Sequence, residues 1–238
     1  MKIVKSSVHL IDSMGSDLSV VNAARVSFAK ESDWEYEGLE RFRSQYDEKK
    51  LSEKDQKLIN YLAKHSHWSP FAHNSLTFRV KAPIFVARQL VKHQVGGVWN
   101  EVSRRYVDEE PEFYMPKRGM WRGKAENVKQ GSSSTVFIDA FEYGHDYTED
   151  IPADAVEVCL EAYTRMLKKG IAPEQARMIL PQNTMTEWWW SGTLGAFLDM
   201  LVLRLDSHTQ YETRLVAEKI SVEIQKLFPV SYAARINL

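Results

Sequence analysis

The stretch from Arg88 to Tyr106 constrains the fold more than any other part of the chain, because two adjacent glycines divide it. The residues before Gly96–Gly97 predict a helix, and those after it form a polar segment that reads Asn-Glu-Val-Ser-Arg-Arg-Tyr. On a helix, Gln89, Lys92 and His93 would be spaced at i, i+3 and i+4 and would share one face. A polar face of this kind, followed by a glycine break and phosphate-binding side chains, indicates a binding site.

A charged helix end followed by an exposed loop is the alternative interpretation of this stretch. Apolar residues argue against it, because they are interleaved with the polar ones as in a packed loop. These apolar residues are Val95, Val98, Trp99 and Val102. We therefore predict that the polar segment packs against the rest of the protein.

The same stretch resembles the signature of the flavin-dependent thymidylate synthases. That signature reads Arg-His-Arg, seven or eight residues, Ser, and soon afterwards Arg and Tyr. Here the sequence reads Lys92-His93-Gln94, eight residues, Ser103, and then Arg105 and Tyr106. Lysine and glutamine thus replace the two outer arginines of the signature. Three further segments resemble the family in the same order, at residues 65–89, 176–181 and 203–212.

The resemblance implies one α+β domain over residues 1–238, with the flavin-dependent thymidylate synthase-like fold of a mixed sheet and flanking helices. A Rossmann unit is not expected, because the sequence contains no Gly-x-Gly-x-x-Gly motif. The family also implies a homotetramer with active sites at subunit junctions. Residues 117–135, rich in glycine, serine and lysine, are expected to form a flexible surface loop inserted in this domain.

The implied reaction converts dUMP to dTMP, with methylenetetrahydrofolate as one-carbon donor and FAD, reduced by NADPH, as hydride donor. Arg204, Arg177 and Ser103 are the implied catalytic residues. Arginines near the pyrimidine carbonyls would stabilise negative charge that develops on the ring. By the same resemblance, dUMP would be bound by Gln89, Glu101, Ser103, Arg104, Arg105, Arg177, Leu203 and Arg204. Arg177 lies in an apolar sequence, where a buried guanidinium would need a nucleotide anion or a structural salt bridge.

The resemblance also implies a set of FAD-binding residues. They are Ser27, His67, Ser69, Lys92, His93, Gln94, Asn100, Glu101, Thr193, Asp199 and His208. Ser27 could equally cap the end of its own helix. Lys92 keeps the charge of the arginine that it replaces but loses bidentate geometry, and Gln94 loses the charge. Thr193 and Asp199 stand where many family members have asparagine.

A non-catalytic nucleotide-binding module that has lost its flavin is the competing hypothesis, and the residues at 92 and 94 favour it. RNA binding through the 117–135 loop is a third possibility. It is the weakest, because the net charge is −1 and no second basic patch with interleaved aromatic residues supports it. The three histidines of residues 65–73 could suggest a metal site, but no nearby carboxylate or thiol completes a zinc shell, and no metal is expected.

The single cysteine excludes one kind of chemistry. Cys159 lies in an apolar helical stripe with Val156 and Tyr163 and is expected to be a small buried hydrophobe. The chain would therefore methylate a pyrimidine without a thiolate nucleophile. One cysteine also excludes an internal disulfide, which fits a reducing cytoplasm. No apolar run could span a bilayer, and no signal peptide is evident, so neither a membrane nor secretion is expected.

A polar stripe is predicted near the C-terminal end, where Arg204, His208 and Glu212 recur every four residues along a predicted helix. A row of surface ion pairs is the alternative. Asp199, Arg204 and Asp206 lie within one of the most apolar stretches, and polar groups there are expected to be paired or to bind a ligand.

The rest of the chain predicts alternating helices and strands. Asp17 is expected to cap a helix that runs to about Phe28. Pro83 is expected to be the first residue of the signature helix. Strands are predicted within residues 2–11, 76–80 and 184–190, and helices at about 152–169 and 173–179.

Overall fold

The computed structural model describes residues 1–36, 49–107, 109–117, 120–126, 131–136 and 150–237. Its helices are α1 Asp17–Arg25, α2 Glu53–Lys64, α3 Ser69–Ala72, α4 Ile84–Leu90, α5 Asp150–Lys168, α6 Pro173–Ala176, α7 Leu194–Arg204, α8 Tyr211–Leu227 and α9 Pro229–Ile236. Its strands are β1 Lys2–Ile3, β2 Ser7–Met14, β3 Glu35–Tyr36, β4 Lys49–Lys50, β5 Ser75–Pro83, β6 Gly97–Glu101, β7 Glu112–Phe113, β8 Arg122–Lys124, β9 Ser132–Val136 and β10 Met185–Thr193. Short 3₁₀ turns follow α1 and α6.

A four-stranded antiparallel sheet in the order β2-β5-β10-β6 forms the centre of the α+β fold. The α+β class and the strands predicted at 76–80 and 184–190 are confirmed. The one parallel pair among the described strands lies outside this sheet, between β1 and β7. On β10, Trp188 and Trp190 are buried while Trp189 between them is exposed, because alternate side chains of a strand point to opposite faces.

The buried face of this sheet is packed with aromatic side chains. The Trp99 and Trp188 rings are stacked with their centroids 4.3 Å apart. Phe197 of α7 contacts Phe78 and Trp190 edge to face, at 5.1 and 5.0 Å. The helix α7 is largely apolar and buried, so it fills the core beneath the strand that carries the tryptophans. None of the described helices combines the length and the apolar character that a membrane crossing requires.

The polar segment begins in the edge strand β6 and continues into a largely exposed turn, so it is not a packed loop. Val98 and Val95 are among the most exposed apolar residues described, whereas Trp99 turns inward to stack on Trp188. The prediction of a packed loop was therefore wrong. Strand geometry is the reason, since it sends neighbouring residues to opposite faces and leaves the outer face uncovered in this chain.

Asp17 does not cap the helix that it begins. Ser16 is the N-cap of α1, and Asp17 is its first helical residue and is buried. The Asp17 carboxylate instead accepts hydrogen bonds from the backbone N–H groups of Val230 and Ser231 and from the Ser231 hydroxyl. It thus supplies acceptors to the N-terminus of α9, whose first N–H groups lack partners within the helix.

Replacing Asp17 with alanine should lower the free energy of unfolding by about 2–3 kcal/mol, because one buried and one partly buried backbone donor would lose their acceptor. Denaturant unfolding at fixed protein concentration measures the change. Asp12→Ala is the matched control, since Asp12 is exposed and accepts only from the neighbouring Ser13 N–H among the described hydrogen bonds. Equal stability of the two variants would contradict this role of Asp17.

The 117–135 segment contains regular structure where it is described. The strands β8 and β9 pair as an antiparallel ribbon, and the Arg122 guanidinium lies over the Tyr211 ring, 5.1 Å from its centroid. The Arg122 Nε donates to the Ser132 hydroxyl at 2.7 Å. Residues 122–124 and 132–135 of the predicted 117–135 loop are therefore strands, its flexibility stays a prediction, and residues 118–119 and 127–130 lie outside the described ones.

Candidate active site

The signature helix ends earlier than its sequence pattern indicates. The helix α4 stops at Leu90, after Pro83 as N-cap, and the His93 N–H donates to the Leu90 carbonyl in a turn. Gln89 and His93 therefore do not share a helix face, and that prediction was wrong. The turn continues to Gly96, whose positive φ of 72° and short distance to Thr193 and Trp68 require a residue without a side chain.

Arg204 is held against this turn by two uncharged acceptors. Its Nε donates to the His93 Nε2 at 2.9 Å, and its Nη2 donates to the Gln89 carbonyl oxygen at 3.3 Å. Burial, and then the charge of Arg204, lower the pKa of His93 below its usual value, while Asp199 raises it. The ring is therefore neutral near pH 7 and can accept the Arg204 N–H. Among the described residues no carboxylate pairs with Arg204, so its charge is available to an anionic ligand.

The polar stripe predicted for one continuous helix does not exist, because α7 ends at Arg204 and α8 begins at Tyr211. The intervening turn is stabilised by Asp206, which accepts from the His208 N–H at 2.7 Å and contacts the His208 Nδ1 at 2.9 Å. These contacts, the backbone hydrogen bond first, lower the pKa of Asp206. His208 is exposed, and so is Leu203 at the end of α7.

A second group of predicted residues lines a cavity of about 590 Å³ at one end of the sheet. Glu101, Arg104 and Arg177 are among its lining residues. Arg177 is exposed, and its Nε donates to the Glu174 carbonyl oxygen at 3.3 Å. The expectation of a buried guanidinium was wrong, because the 3₁₀ turn after α6 turns Arg177 and Met178 outward and buries Ala176.

The charges in this cavity are unevenly compensated. Arg79 pairs with Glu187, and Glu112 pairs with both Lys2 and Lys81. Those two lysines hold the pKa of Glu112 below its usual value. By contrast, Arg104 and Arg177 donate only to backbone carbonyls within the described part of the chain. The carboxylates of Glu101, Glu109 and Glu110 line the same cavity and likewise form no ion pair in the described part of the chain. The two arginines can therefore donate to an anion such as a phosphate, but the cavity has no excess of positive charge.

Glu101 is oriented by two donors. Its Oε1 accepts from the Thr186 hydroxyl at 2.7 Å, and its Oε2 accepts from the Trp99 indole N–H at 3.2 Å. Sequence reasoning missed Thr186, whose place in a β-prone run gave no sign that it faces Glu101. The next turn is closed by Ser103, whose hydroxyl accepts from the Arg105 Nε at 3.1 Å, and Arg105 lies over the Tyr106 ring.

The predicted nucleotide residues therefore fall into two groups. One group contains Gln89, Leu203 and Arg204 beside His93, and the other contains Glu101, Ser103, Arg104, Arg105 and Arg177. No hydrogen bond between described residues joins the groups, and neither Gln89 nor Arg204 lines the 590 Å³ cavity.

Three of the predicted FAD residues lie together in a groove of about 650 Å³, namely Ser27, His67 and Ser69. The groove also contains Arg25, Lys30 and Lys54, of which only Arg25 pairs with a carboxylate, that of Asp55, among the described residues. Phe28 and Tyr61 line it with largely exposed rings. Cations and exposed rings fit a ligand with a diphosphate and planar ring systems, as FAD has.

The other predicted FAD residues are spread around this groove and the signature turn. Lys92, Gln94 and Asn100 are exposed. The Thr193 hydroxyl accepts from the Ala196 N–H at 3.2 Å and so caps α7. Asp199 pairs with Arg235 at 2.7 Å, as expected for a polar group in this apolar stretch. Asp199 and His67 both line a smaller cavity of about 120 Å³.

Two further predictions concern other residues. Within the described ranges, no three His, Cys, Asp or Glu side chains are grouped so that they could hold a metal ion. Cys159 lies on the expected stripe of α5 beside the buried Val156 and Tyr163, but it is only half-buried. It lines none of the cavities described above.

The fold and these groups define an α+β protein with an arginine held beside the signature turn, a cavity lined by further arginines, and a groove lined by lysines and exposed rings. Its sequence matches the family model described as Thymidylate synthase complementing protein over residues 9–230. A flavin-dependent thymidylate synthase of Kosmotoga olearia is 37% identical over 233 residues, covering 98% of this chain and 91% of that protein. A flavin-dependent thymidylate synthase of Thermotoga neapolitana is 36% identical over 236 residues, covering 98% of this chain and 92% of that protein.

A solved structure of the UMP/dUMP methylase PolB from Streptomyces cacaoi, bound with 5-Br dUMP, has a TM-score of 0.77 and 33% identity. The alignment covers 98% of this chain and 96% of that one. The same protein bound with 5-Br UMP has a TM-score of 0.75 and 31% identity. The chain therefore belongs to the family of the flavin-dependent thymidylate synthases.

Proposed function

We propose that this protein is a flavin-dependent thymidylate synthase that converts dUMP to dTMP. Methylenetetrahydrofolate would supply the one-carbon unit, and FAD, reduced by NADPH, would supply the hydride. One observation supports this most strongly: Arg204 is held by uncharged acceptors beside Gln89, with no described carboxylate to neutralise it. We also propose a cytoplasmic location, since the single cysteine is consistent with a reducing compartment.

The chain's own residues would bind the nucleotide and stabilise charge on its ring. Arg104, Arg105 and Ser103 have donors suited to a phosphate dianion. Arg204 and Arg177 would approach the pyrimidine carbonyls and stabilise the negative charge that develops as C5 loses its proton. Glu101, held by Thr186 and Trp99, can accept a hydrogen bond from a sugar hydroxyl.

FAD would be held by the groove that Ser27, His67 and Ser69 share with Lys30 and Lys54. When bound, it supplies the hydride that completes the methyl group. The lysines would offset the charge of the diphosphate. Lys92 in place of arginine keeps a positive charge on the signature turn, so loss of charge at position 94 alone does not remove the basic character of the site.

The visible absorbance spectrum of the purified protein tests this function. We expect a flavin band after addition of FAD, bleaching of that band by NADPH, and a spectral change on addition of dUMP. With methylenetetrahydrofolate present, dTMP should accumulate. A protein that binds dUMP but takes up no FAD would overturn the enzyme and favour the non-catalytic nucleotide-binding module.

We further propose that the protein is a homotetramer whose nucleotide sites lie at subunit junctions. Each chain would contribute the Arg204 group to one site and the Arg177 group to another, which is consistent with their separation within one chain. Isologous contacts in a closed oligomer would pair the two groups in this way.

Co-expression of two inactive variants, Arg177→Ala and Arg204→Ala, tests the shared site. Random mixing should restore about a quarter of the wild-type activity, because that fraction of junctions receives both intact groups. The controls are each single variant expressed alone and the double variant Arg177→Ala/Arg204→Ala expressed alone. A mixture no more active than its components, or a monomer by light scattering that retains activity, would contradict the proposal.

A further inference from the structure

Two residues outside the predicted site form a hydrogen-bonded chain that ends on Gln89. The Gln89 Nε2 donates to the Gln210 Oε1 at 2.5 Å, and the Gln210 Nε2 donates to a carboxylate oxygen of Glu212 at 3.1 Å. We propose that Gln210 and Glu212 are positioning residues of the nucleotide site, which fix the orientation of the Gln89 side-chain amide. This proposal rests on the proposed function, in which Gln89 contacts dUMP.

The direction of the chain follows from the chemistry of its last member. An ionised carboxylate can only accept hydrogen bonds, so Gln210 must turn its NH₂ group toward Glu212. The Gln210 carbonyl oxygen then faces Gln89 and requires a donor there. Gln89 must therefore direct one N–H toward Gln210, which leaves its carbonyl oxygen and its second N–H for a ligand. Without Glu212, both amides could rotate by half a turn at little cost.

The residues around this chain tie it to the proposed catalytic arginine. The backbone carbonyl of Gln89 accepts from the Arg204 Nη2, so one residue holds Arg204 by its main chain and points a side-chain amide toward Gln210. Gln210 is the N-cap of α8, and Glu212 lies in the first turn of that helix. The hydrogen-bonded chain Gln89–Gln210–Glu212 thus joins the end of α4 to the start of α8, across the turn that follows Arg204.

The negative charge of Glu212 affects the pKa of a neighbouring tyrosine. Burial first, and then the charge of Glu212, raise the pKa of the Tyr114 hydroxyl to about 12. Tyr114, Gln210 and Glu212 line the same apolar cavity of about 310 Å³. The Gln210–Glu212 hydrogen bond is itself exposed, so the orientation of the Gln210 amide follows from the acceptor-only chemistry of the carboxylate and not from a low polarity around it.

The replacement Glu212→Gln tests the proposal, since it removes the charge while it keeps the size of the side chain. Loss of one fixed hydrogen bond should raise the Kd for dUMP about 5- to 10-fold, measured by calorimetry on the FAD-loaded protein. The melting temperature and the Kd for FAD should stay unchanged. A side chain that only stabilised the N-terminus of α8 would instead lower the melting temperature without changing the ratio of the two affinities.

The double variant Gln210→Glu with Glu212→Gln provides the rescue. A carboxylate at position 210 would accept from Gln89 directly and from the new amide at 212, so the Gln89 orientation and the net charge would both be kept. We expect dUMP binding within about 2-fold of wild type. Glu223→Gln is the matched control on the same helix, where the exposed Glu223 pairs with Lys226, and it should leave dUMP binding unchanged.

Two results would overturn the positioning role. One is a Glu212→Gln variant that binds dUMP as tightly as wild type. The other is a double variant that binds as weakly as Glu212→Gln alone, since this would assign the effect to charge at position 212 and not to the Gln89 orientation. Failure of the wild-type protein to bind dUMP at all would instead overturn the proposed function, so the two failures are distinguishable.

Discussion

Replacing Arg204 with lysine should lower kcat/KM for dUMP methylation by about 10²- to 10³-fold. Lysine keeps the positive charge, but its ammonium cannot reproduce the planar donor set that contacts His93 and Gln89 at the same time. The lost function would therefore be orientation of the charge and not the charge itself. Initial rates of dTMP formation, measured across dUMP concentrations, give the result.

Arg165→Lys is the matched control for this replacement, because Arg165 is an exposed residue in the last turn of α5 and forms no hydrogen bond with the predicted nucleotide residues in the described part of the chain. It should leave kcat/KM within about 2-fold of wild type, as exposed substitutions have small effects. The melting temperature of Arg204→Lys should also stay close to that of the parent. Retention of wild-type kcat/KM by Arg204→Lys would show that Arg204 does not act on the pyrimidine.

Trp188→Ala should lower the free energy of unfolding by about 3–5 kcal/mol. Trp188 is 1% exposed, and its ring is stacked on Trp99 at 4.3 Å in the centre of the sheet. Alanine would leave a cavity that the paired strands cannot close, because β10 is hydrogen-bonded on both sides. Guanidinium unfolding, followed by circular dichroism at one protein concentration, measures the change.

The neighbouring Trp189 provides the comparison for this experiment. It is 46% exposed, on the opposite face of the same strand, so Trp189→Ala should cost much less than Trp188→Ala. Both variants delete the same side chain from adjacent positions, and they differ mainly in burial. Similar losses of stability in the two variants would argue against the core position of Trp188.

Local sequence patterns predicted the elements that have strong periodicity. Alternating and β-prone residues located β5 and β10, and the helix α5 was expected at 152–169 between Pro152 and Gly170. Such patterns follow from which side chains must be buried together, and so they can be read without coordinates. The motif residues of the signature stretch also identified the family, which the comparisons confirmed.

Contacts distant in the sequence could not be predicted in this way. Asp17 is of a residue type that is preferred at N-caps, yet its carboxylate accepts hydrogen bonds at the start of α9, more than 200 residues later. The spacing of Arg204 and His208 fits one helix, but Asp206 stabilises a turn between two helices. In both cases a local signal was outweighed by a partner that the folded chain supplies, as is common for short polar residues.

The sequence by itself determined the α+β class, the family, and the kinds of side chain available for a nucleotide and a flavin. It did so because residue types and short spacings carry that information directly. Only the tertiary structure decided that Arg204 meets His93, that Thr186 orients Glu101, and that Glu212 acts on Gln89 through Gln210. Those partners lie on different elements, and a hydrogen bond forms only where folding brings a donor and an acceptor within about 3 Å of each other.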